Sequence, residues 1–292
     1  MKKQCTVSIV GLPNAGKSTF LNKAMKQKVA IVSYKPQTTR NQIKTVYEDN
    51  RIRICFVDTP GFHQPKNKLD SFLNSQVKQS FKQSDIVLLF IDASRDDIEG
   101  NKILIDVIKS YKVKDLMVVF THKDLVRDLQ VIDKLNLYGL NGIKHKIAID
   151  NNSTQDVNNV ISYIYDIAPQ DGMFEPNDMT DDFLIQEIIR EQALHILKQE
   201  VPHSLAVVVD TKNFDKEQNL FTINCSLIVE KESQKPIVIG AGGKMIKLIG
   251  TKARQELLKF FDCRIMLKLF VKVKDDWRND EQFLQTVGYF KK

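Results

Sequence analysis

The sequence has a single tryptophan, four cysteines and no apolar run approaching the roughly 20 residues that span a bilayer. The cysteines, Cys5, Cys55, Cys225 and Cys263, lie far apart with no C-x-x-C spacing. That argues against a zinc site or a disulfide framework and for a reducing, cytoplasmic setting. Cys5 and Cys55 sit in apolar runs and are expected as small buried residues. The N-terminal MKKQCTVSIVG carries an apolar run too short for a signal-peptide core, so a soluble or at most peripheral protein is expected. Five histidines form no cluster, and His63 and His195 are expected as surface or packed residues. There is no internal repeat and no low-complexity segment.

What is present suffices for two domains: 292 residues, 42% hydrophobic and 27% charged. A net charge of +7 points mildly to a polyanionic partner, either nucleic acid or an anionic membrane surface. Through residue 168, the strand-like runs CTVSIV, IRICFV, IVLLFI and LMVVF alternate with helical stretches whose apolar residues recur three and four apart. Near-continuous apolar strands alternating with helices predict an α/β domain, a mostly parallel sheet covered on both faces. Residues 169–182, acidic and with two prolines, read as a linker whose final Asp181-Asp182 pair caps the next helix. Residues 183–292 change to an α-β-β-α-α-β order, which predicts a second, smaller α+β domain.

GLPNAGKST, residues Gly11, Leu12, Pro13, Asn14, Ala15, Gly16, Lys17, Ser18 and Thr19, follows the first strand and opens a helix. It matches the phosphate-binding pattern G-x-x-x-x-G-K-[ST] in the context that pattern needs. The glycines let backbone N–H groups wrap phosphate oxygens, and the helix N-terminus adds its positive end. Lys17 supplies a cation to the β and γ phosphates, and Ser18 a hydroxyl to Mg²⁺. VDTPG places Asp58 at a second strand end, suited to hold Mg²⁺ through water, and the Gly61 N–H within reach of a γ-phosphate. KPQTTR is a polar segment from which a threonine could complete the Mg²⁺ shell.

The order P-loop, Thr, D-x-x-G, [NT]-x-x-D resembles the GTP-binding domains of translation-factor-related GTPases. GLPNAGKST, QTTR and DTPGF are similar to the Era branch. The resemblance implies switch segments at Gln37, Thr38, Thr39 and Arg40, and at Asp58, Thr59, Pro60, Gly61 and Phe62. One of Thr38 and Thr39, with Thr39 preferred, would be the Mg²⁺ ligand. Phe62 stands where Ras-like enzymes place a water-orienting Gln, so slow intrinsic hydrolysis is expected, raised by a partner or a cation. Asn14 occupies a position used in related GTPases to bind K⁺; it either does so here or stabilises its own turn.

After the fourth strand the family pattern Asn-Lys-x-Asp reads Thr121-His122-Lys123-Asp124. The Asp124 carboxylate can accept from guanine N1–H and N2–H₂, a donor pair that adenine lacks. Its other role would be a helix N-cap. The usual Asn bonds the base edge and ties this loop to the P-loop; Thr has one hydroxyl for the task. His122 offers a flat ring where the family has a Lys stem. The fifth guanine-binding segment, usually Ser-Ala, falls either at Ala148-Ile149 or at Asp150-Asn151.

In the second domain, Gly240-Ala241-Gly242-Gly243 between two helical stretches matches the G-x-x-G of the KH module, whose loop admits a nucleic-acid backbone. Lys244, Lys247 and Arg254 share one side of the following helix, and Ile246, Ile249, Ala253 and Leu257 the other. Between Lys235 and Lys274 ten basic residues face two acidic ones, a footprint for phosphate binding. Trp277 is expected as a packing anchor.

The resemblance to Era-type GTPases runs through essentially the whole chain. It implies a type II KH domain and a monomer that binds GTP and GDP with Mg²⁺, possessing GTPase activity. The implied RNA partner is the small-subunit rRNA near its 3′ end, the assembly the small ribosomal subunit, with peripheral contact at the inner membrane. The competing expectations are a GTP/GDP-sensing RNA-binding module with little hydrolysis, or another ribosome-associated GTPase of the superfamily.

Overall fold

In the computed structural model, the described residues are 2–26, 39–111, 113–126, 134, 136–140, 142–174, 180–197 and 201–289. Contacts divide the chain into two compact units, Met1–Lys66 with Asp70–Asp178, and Met179–Lys292 with Asn67–Leu69.

The first unit is built on a six-stranded sheet. Its strands are β1 (Lys3–Gly11), β2 (Ile43–Glu48), β3 (Ile52–Asp58), β4 (Ile86–Asp92), β5 (Asp115–Thr121) and β6 (His145–Ala148), in the order β2-β3-β1-β4-β5-β6. All neighbouring pairs are parallel except β2 with β3. β2 does not show as an apolar run because Lys44, Thr45 and Glu48 interrupt its apolar residues at a half-exposed sheet edge. It joins β3 through a turn in which Asp49 Oδ1 accepts from the Arg51 and Ile52 N–H groups at 2.7 and 2.9 Å.

The buried central strands need cover on both faces, and the helices provide it. Val87, Leu89 and Ile91 of β4 pack with Val77 and Phe81 of α2 (Lys68–Lys82) and with Leu104, Ile105 and Ile108 of α3 (Ile98–Ser110). The alternate residue Phe90 points the other way, its ring 5.2 Å from that of Phe20 on α1 (Lys17–Met25). Helix α4 (Thr154–Ile167) packs beside α1 and is capped by Ser153, whose side chain accepts from the Asp156 N–H.

β1 has β3 on one side and β4 on the other, so successive connections leave toward opposite sheet edges. In parallel sheets, ligands bind at the carboxyl ends of the strands beside such a switch point. The P-loop, Asp58 and Thr121 all sit at those ends.

The stretch 169–182, expected as linker, has structured ends. Gly172 N–H donates to the Gln4 carbonyl at 2.9 Å, and Thr6 Oγ1 to that of Met173 at 2.7 Å. At the far end, Thr180 caps the next helix by accepting from the Phe183 N–H at 3.3 Å. The expected cap, the Asp181-Asp182 pair, lies instead in the first turn, where its charge meets the helix dipole. A hydroxyl one residue earlier reached the free N–H first.

The second unit comprises α5 (Asp181–Ile196), β7 (Ala206–Asp215), β8 (Leu220–Val229), α6 (Lys235–Ile239), α7 (Lys244–Leu257), β9 (Arg264–Val273) and α8 (Glu281–Thr286). β7 pairs antiparallel with β8, and β9 returns parallel to β8 after the helical crossover. Its core joins Ile185, Ile189 and Ala193 of α5 to Ile223, Cys225 and Leu227 of β8 and to Ile249, Ala253 and Leu257 of α7. Cys5 and Cys225 are buried thiols, and burial pushes each up to about 12, so both are inert as nucleophiles. No helix among the described residues is long and apolar enough to cross a membrane.

Trp277 is fully buried, its Nε1–H donating to the Ser204 carbonyl at 2.9 Å and its ring edge-on to Phe283. Trp277→Phe keeps most of the apolar contact but strands that carbonyl. It is expected to lower unfolding stability by about 1–3 kcal/mol in urea titration followed by far-UV circular dichroism. An unchanged midpoint would show that the indole is not an anchor.

Candidate functional site

The P-loop is shaped by crowding. A Cβ on Gly11 would fall 2.5 Å from the Phe90 carbonyl oxygen, so β4 passes too close for any other residue. Gly16 has φ +85°, and a Cβ there would overlap the side-chain amide of Asn151. Asn14 has φ +63°, a left-handed conformation that asparagine tolerates well, which already accounts for an Asn at that place. Leu12 and Ala15 are buried beneath the loop, while Pro13 and Thr19 are half-buried.

Lys17 is buried, and its Nζ donates to the carbonyls of Gly11 at 3.2 Å and Leu12 at 2.9 Å. Burial holds this amine down at about 8, against the upward pull of the Asp58 carboxylate. Burial likewise pushes the Asp58 carboxyl up to about 6, while Lys17 and the hydroxyls of Ser18 and Thr39 pull it down. Each group is thus held in a state that a phosphate or a cation would relieve.

Ser18 Oγ donates to Asp58 Oδ2 at 2.9 Å. Thr39 Oγ1 lies 3.4 Å from Ser18 Oγ and 3.5 Å from Asp58 Oδ2. Asp58 Oδ1 is buried with no hydrogen-bond partner among the described residues. The Ser18 and Thr39 hydroxyls gathered at Asp58 Oδ2, with Oδ1 of the same carboxylate unpartnered among the described residues, form a set of hard oxygens that fits Mg²⁺, which takes the rest of its shell from water and phosphate. No cluster of three or more His, Cys, Asp or Glu among the described residues offers a metal cage of its own. Gln37 and Thr38 lie outside the described residues; Thr39 and Arg40 are buried.

The second switch segment is tied to β1. Thr59 Oγ1 donates to the Ile9 carbonyl at 2.8 Å, and the Phe62 N–H to that of Gly11 at 3.1 Å. Gly61 packs so close to Pro13 that a Cβ would sit 2.8 Å from its Cα. Phe62 is buried among Val10, Leu12 and Phe81, so its side chain faces the core and has no polar atom for a water. His63, expected as a surface or packed residue, is a clamp. Its Nε2 lies 3.2 Å from Asp70 Oδ1 and its Nδ1 2.9 Å from the Gly61 carbonyl, and the Asp70 hydrogen bond raises its pKa.

At the end of β5, Thr121 is buried and its hydroxyl lies 3.2 Å from the Ala15 carbonyl, the one tie to the P-loop that a hydroxyl can make. His122 takes φ +57° and turns Nδ1 to within 3.1 Å of Asp92 Oδ1. Lys123 pairs with Asp156 at 2.7 Å. Asp124 is exposed and lies inside a short 3₁₀ turn, Lys123–Leu125, whose N-cap is His122; residues 127–133 of the stretch expected to follow as a helix lie outside the described residues. Ile149 is used up by the sheet, its N–H donating to the Phe120 carbonyl and its carbonyl accepting from the Lys123 N–H. Asp150 and Asn151 form the adjoining loop. Asn151 is buried, and its Nδ2 donates to the Gly16 carbonyl at 3.3 Å. Sequence reasoning missed this contact and the His63 clamp, because neither residue type has a fixed place in the motifs.

In the second unit, Gly240, Gly242 and Gly243 all have positive φ (73°, 58° and 76°). At Gly240 a Cβ would also meet Met245 at 2.6 Å, whereas at Gly242 and Gly243 the space is open. The loop Gly240-Ala241-Gly242-Gly243 therefore presents bare backbone at the start of α7. Lys244, Lys247 and Arg254 are exposed along that helix, and Ile249, Ala253 and Leu257 are buried beneath it. A groove of about 260 Å³ between α7 and β9 is lined by Ile246, Lys247, Gly250, Arg254, Leu267 and Leu269. An apolar floor with cations at its rim suits stacked bases and flanking phosphates.

Fold and site together define a P-loop GTPase joined to a KH domain. Two family models match accordingly, one described as 50S ribosome-binding GTPase over residues 6–122 and a KH domain over residues 200–278. GTPase Era of Ureaplasma parvum is 38% identical over 99% of this chain and 98% of its own length. GTPase Era of Clostridioides difficile is 36% identical over 99% of both. Among solved structures, a variant of Aquifex aeolicus Era bound to GDP·AlF₄⁻ superposes with TM-score 0.88 and 31% identity, covering 99% of this chain and all of its own. Era bound to MgGDPNP and nucleotides 1506–1542 of 16S ribosomal RNA gives TM-score 0.90 at 31% identity, each chain covered completely. The chain belongs to the GTPase Era family.

Gly16→Ala would force a Cβ onto Asn151 at a left-handed φ. It is expected to destabilise the ligand-free chain by about 1–3 kcal/mol, read as a lower melting temperature. A melting temperature equal to the parent's would show that the two loops separate freely.

Proposed function

We propose that the chain is a GTP-hydrolysing, RNA-binding factor acting in small ribosomal subunit assembly and 16S rRNA maturation. The observation that carries this is the convergence of Lys17, Ser18, Thr39 and Asp58 at the carboxyl ends of the central strands, in a chain that also bears the basic G-x-x-G helix. The relative solved with a GTP analogue and a 16S fragment supports the same pairing of ligands.

In this proposal, the backbone of residues 11–19 and the Gly61 N–H hold the phosphates. Lys17 leaves its carbonyl partners for the β and γ oxygens, and their negative charge restores its full protonation. Ser18 and Thr39 would hold Mg²⁺ directly and Asp58 through water; the ion supplies charge neutralisation on the phosphates. Asp124 reads guanine, with Thr121 and His122 beside it and Lys123 held off by Asp156. Hydrolysis is slow by itself because Phe62 offers nothing to orient a water. RNA on Gly240–Gly243, Lys244, Lys247 and Arg254 accelerates it, and K⁺ at Asn14 would contribute only if turnover differs between K⁺ and Na⁺.

The deciding experiment is competition of GTP, GDP, ATP and XTP for the purified protein, with hydrolysis assayed with and without 16S rRNA. GTP and GDP are expected to outcompete ATP by about 100-fold or more, as two charge-assisted bonds at Asp124 require. RNA-stimulated turnover should vanish in Lys17→Ala. Equal ATP and GTP affinity overturns the guanine assignment, and turnover that persists in Lys17→Ala overturns the catalytic one.

On the RNA side, Lys247→Ala and Arg254→Ala should each weaken binding of the 16S 3′ segment. Each should flatten the log Kd against log salt slope by about 0.7, the share of one phosphate contact on a single strand. Unchanged slopes would move the RNA off this helix.

A further inference from the structure

The family's base-reading Asn is a threonine here, yet the structure keeps a side-chain amide at the same junction. Asn151 reaches it from the loop after β6. It is buried, and its Nδ2 donates to the carbonyl of Gly16, the residue just before the phosphate-binding Lys17. A Cβ built on Gly16 would overlap this Nδ2 and lie 3.3 Å from the Thr121 methyl, so Thr121 and Asn151 cover one patch of P-loop backbone from two different loops. Thr121 cannot hold that junction by itself. Its single hydroxyl proton is shared among the Ala15 carbonyl at 3.2 Å, the Ile91 carbonyl at 3.4 Å and His122 Nδ1 at 3.2 Å. Asn151 Oδ1, by contrast, is buried with no partner among the described residues, an acceptor in want of a donor. Buried amide oxygens are seldom left so unless a ligand, a water or a rearranged loop completes them.

We propose that Asn151 supplies the amide that position 121 has lost. It is a positioning residue that ties the fifth loop to the P-loop and holds the guanine and phosphate subsites in register. The tie is made to backbone, so it can be supplied from either loop, provided the amide reaches Gly16. A smaller side chain at 121 is what leaves room for it. The inference rests on the guanine-nucleotide reading above.

The test measures GDP, GTP and ATP affinities by calorimetry for the parent chain, Asn151→Ala, Thr121→Asn and the double variant, with ligand-free melting temperatures alongside. Asn151→Ala is expected to weaken GDP and GTP by about tenfold, the loss of one buried hydrogen bond. Thr121→Asn alone should give no gain, since the space over Gly16 is filled. The double variant should recover most of the lost affinity. Unchanged affinity in Asn151→Ala overturns the inference. So does a loss that Thr121→Asn fails to recover, which would mark Asn151 as a structural residue only. A parent chain that binds ATP as well as GTP fails the guanine reading itself, and the inference falls with it.

Discussion

A buried ammonium and a buried carboxylate at the end of one sheet set the terms for the first unit. Lys17 is held by two carbonyl oxygens of its own loop, and Asp58 by two hydroxyls, with one oxygen unpaired among the described residues. Both are pushed toward neutrality by burial. Isolated charges in such a place are costly, so the surroundings must be rigid enough to keep them there. The rigidity comes from backbone: Gly11 under the Phe90 carbonyl, Gly61 against Pro13, and Phe62 bonded through its N–H to Gly11. On the proposed reading, a triphosphate with its metal offsets both penalties at once.

That arrangement was legible in the sequence to the extent that it depends on backbone. Glycines that must approach a neighbour, a lysine at a helix start and an aspartate at a strand end have few substitutes, so they recur at fixed spacings. The four central strands were legible for a related reason: burial on both faces leaves an unbroken apolar run. Edge strands β2 and β6 carry no such run, being half-exposed or four residues long, and they were invisible. The contacts of Asn151 with Gly16 and of His63 with Asp70 and Gly61 were not legible, because they depend on where the neighbouring loop comes to lie. The helix cap moved from Asp181 to Thr180 since either oxygen chemistry serves, and only the local φ and ψ decide between them.

The second unit follows a different logic. Its helix α7 must bury Ile249, Ala253 and Leu257 while showing Lys244, Lys247 and Arg254, and 3.6 residues per turn delivers both from one stretch. Gly250 brings that helix near β9, where a Cβ would already touch Leu269 at 3.3 Å, and so sets the width of the groove. The cations sit at the groove's rim and the aliphatic side chains at its floor. Phosphates and bases of a single strand present the same division, charge outside and flat apolar surface within.

The Thr121-His122 departure bears on how strictly a nucleotide motif must be kept. On the proposed reading, Asp124 acts through its carboxylate, an acceptor pair that matches guanine's two donors. The residues around it act by placing the loop, and placement can be achieved in several ways. His122 is turned by Asp92, Lys123 is held by Asp156, and the P-loop is reached by a hydroxyl from one side and an amide from the other. A motif position that touches the ligand with a unique group resists change, whereas one that touches only backbone can be vacated when a neighbour takes over the contact. By that argument, on the proposed reading, the altered THKD stretch keeps its specificity in Asp124 and distributes its geometry over the contacts around it.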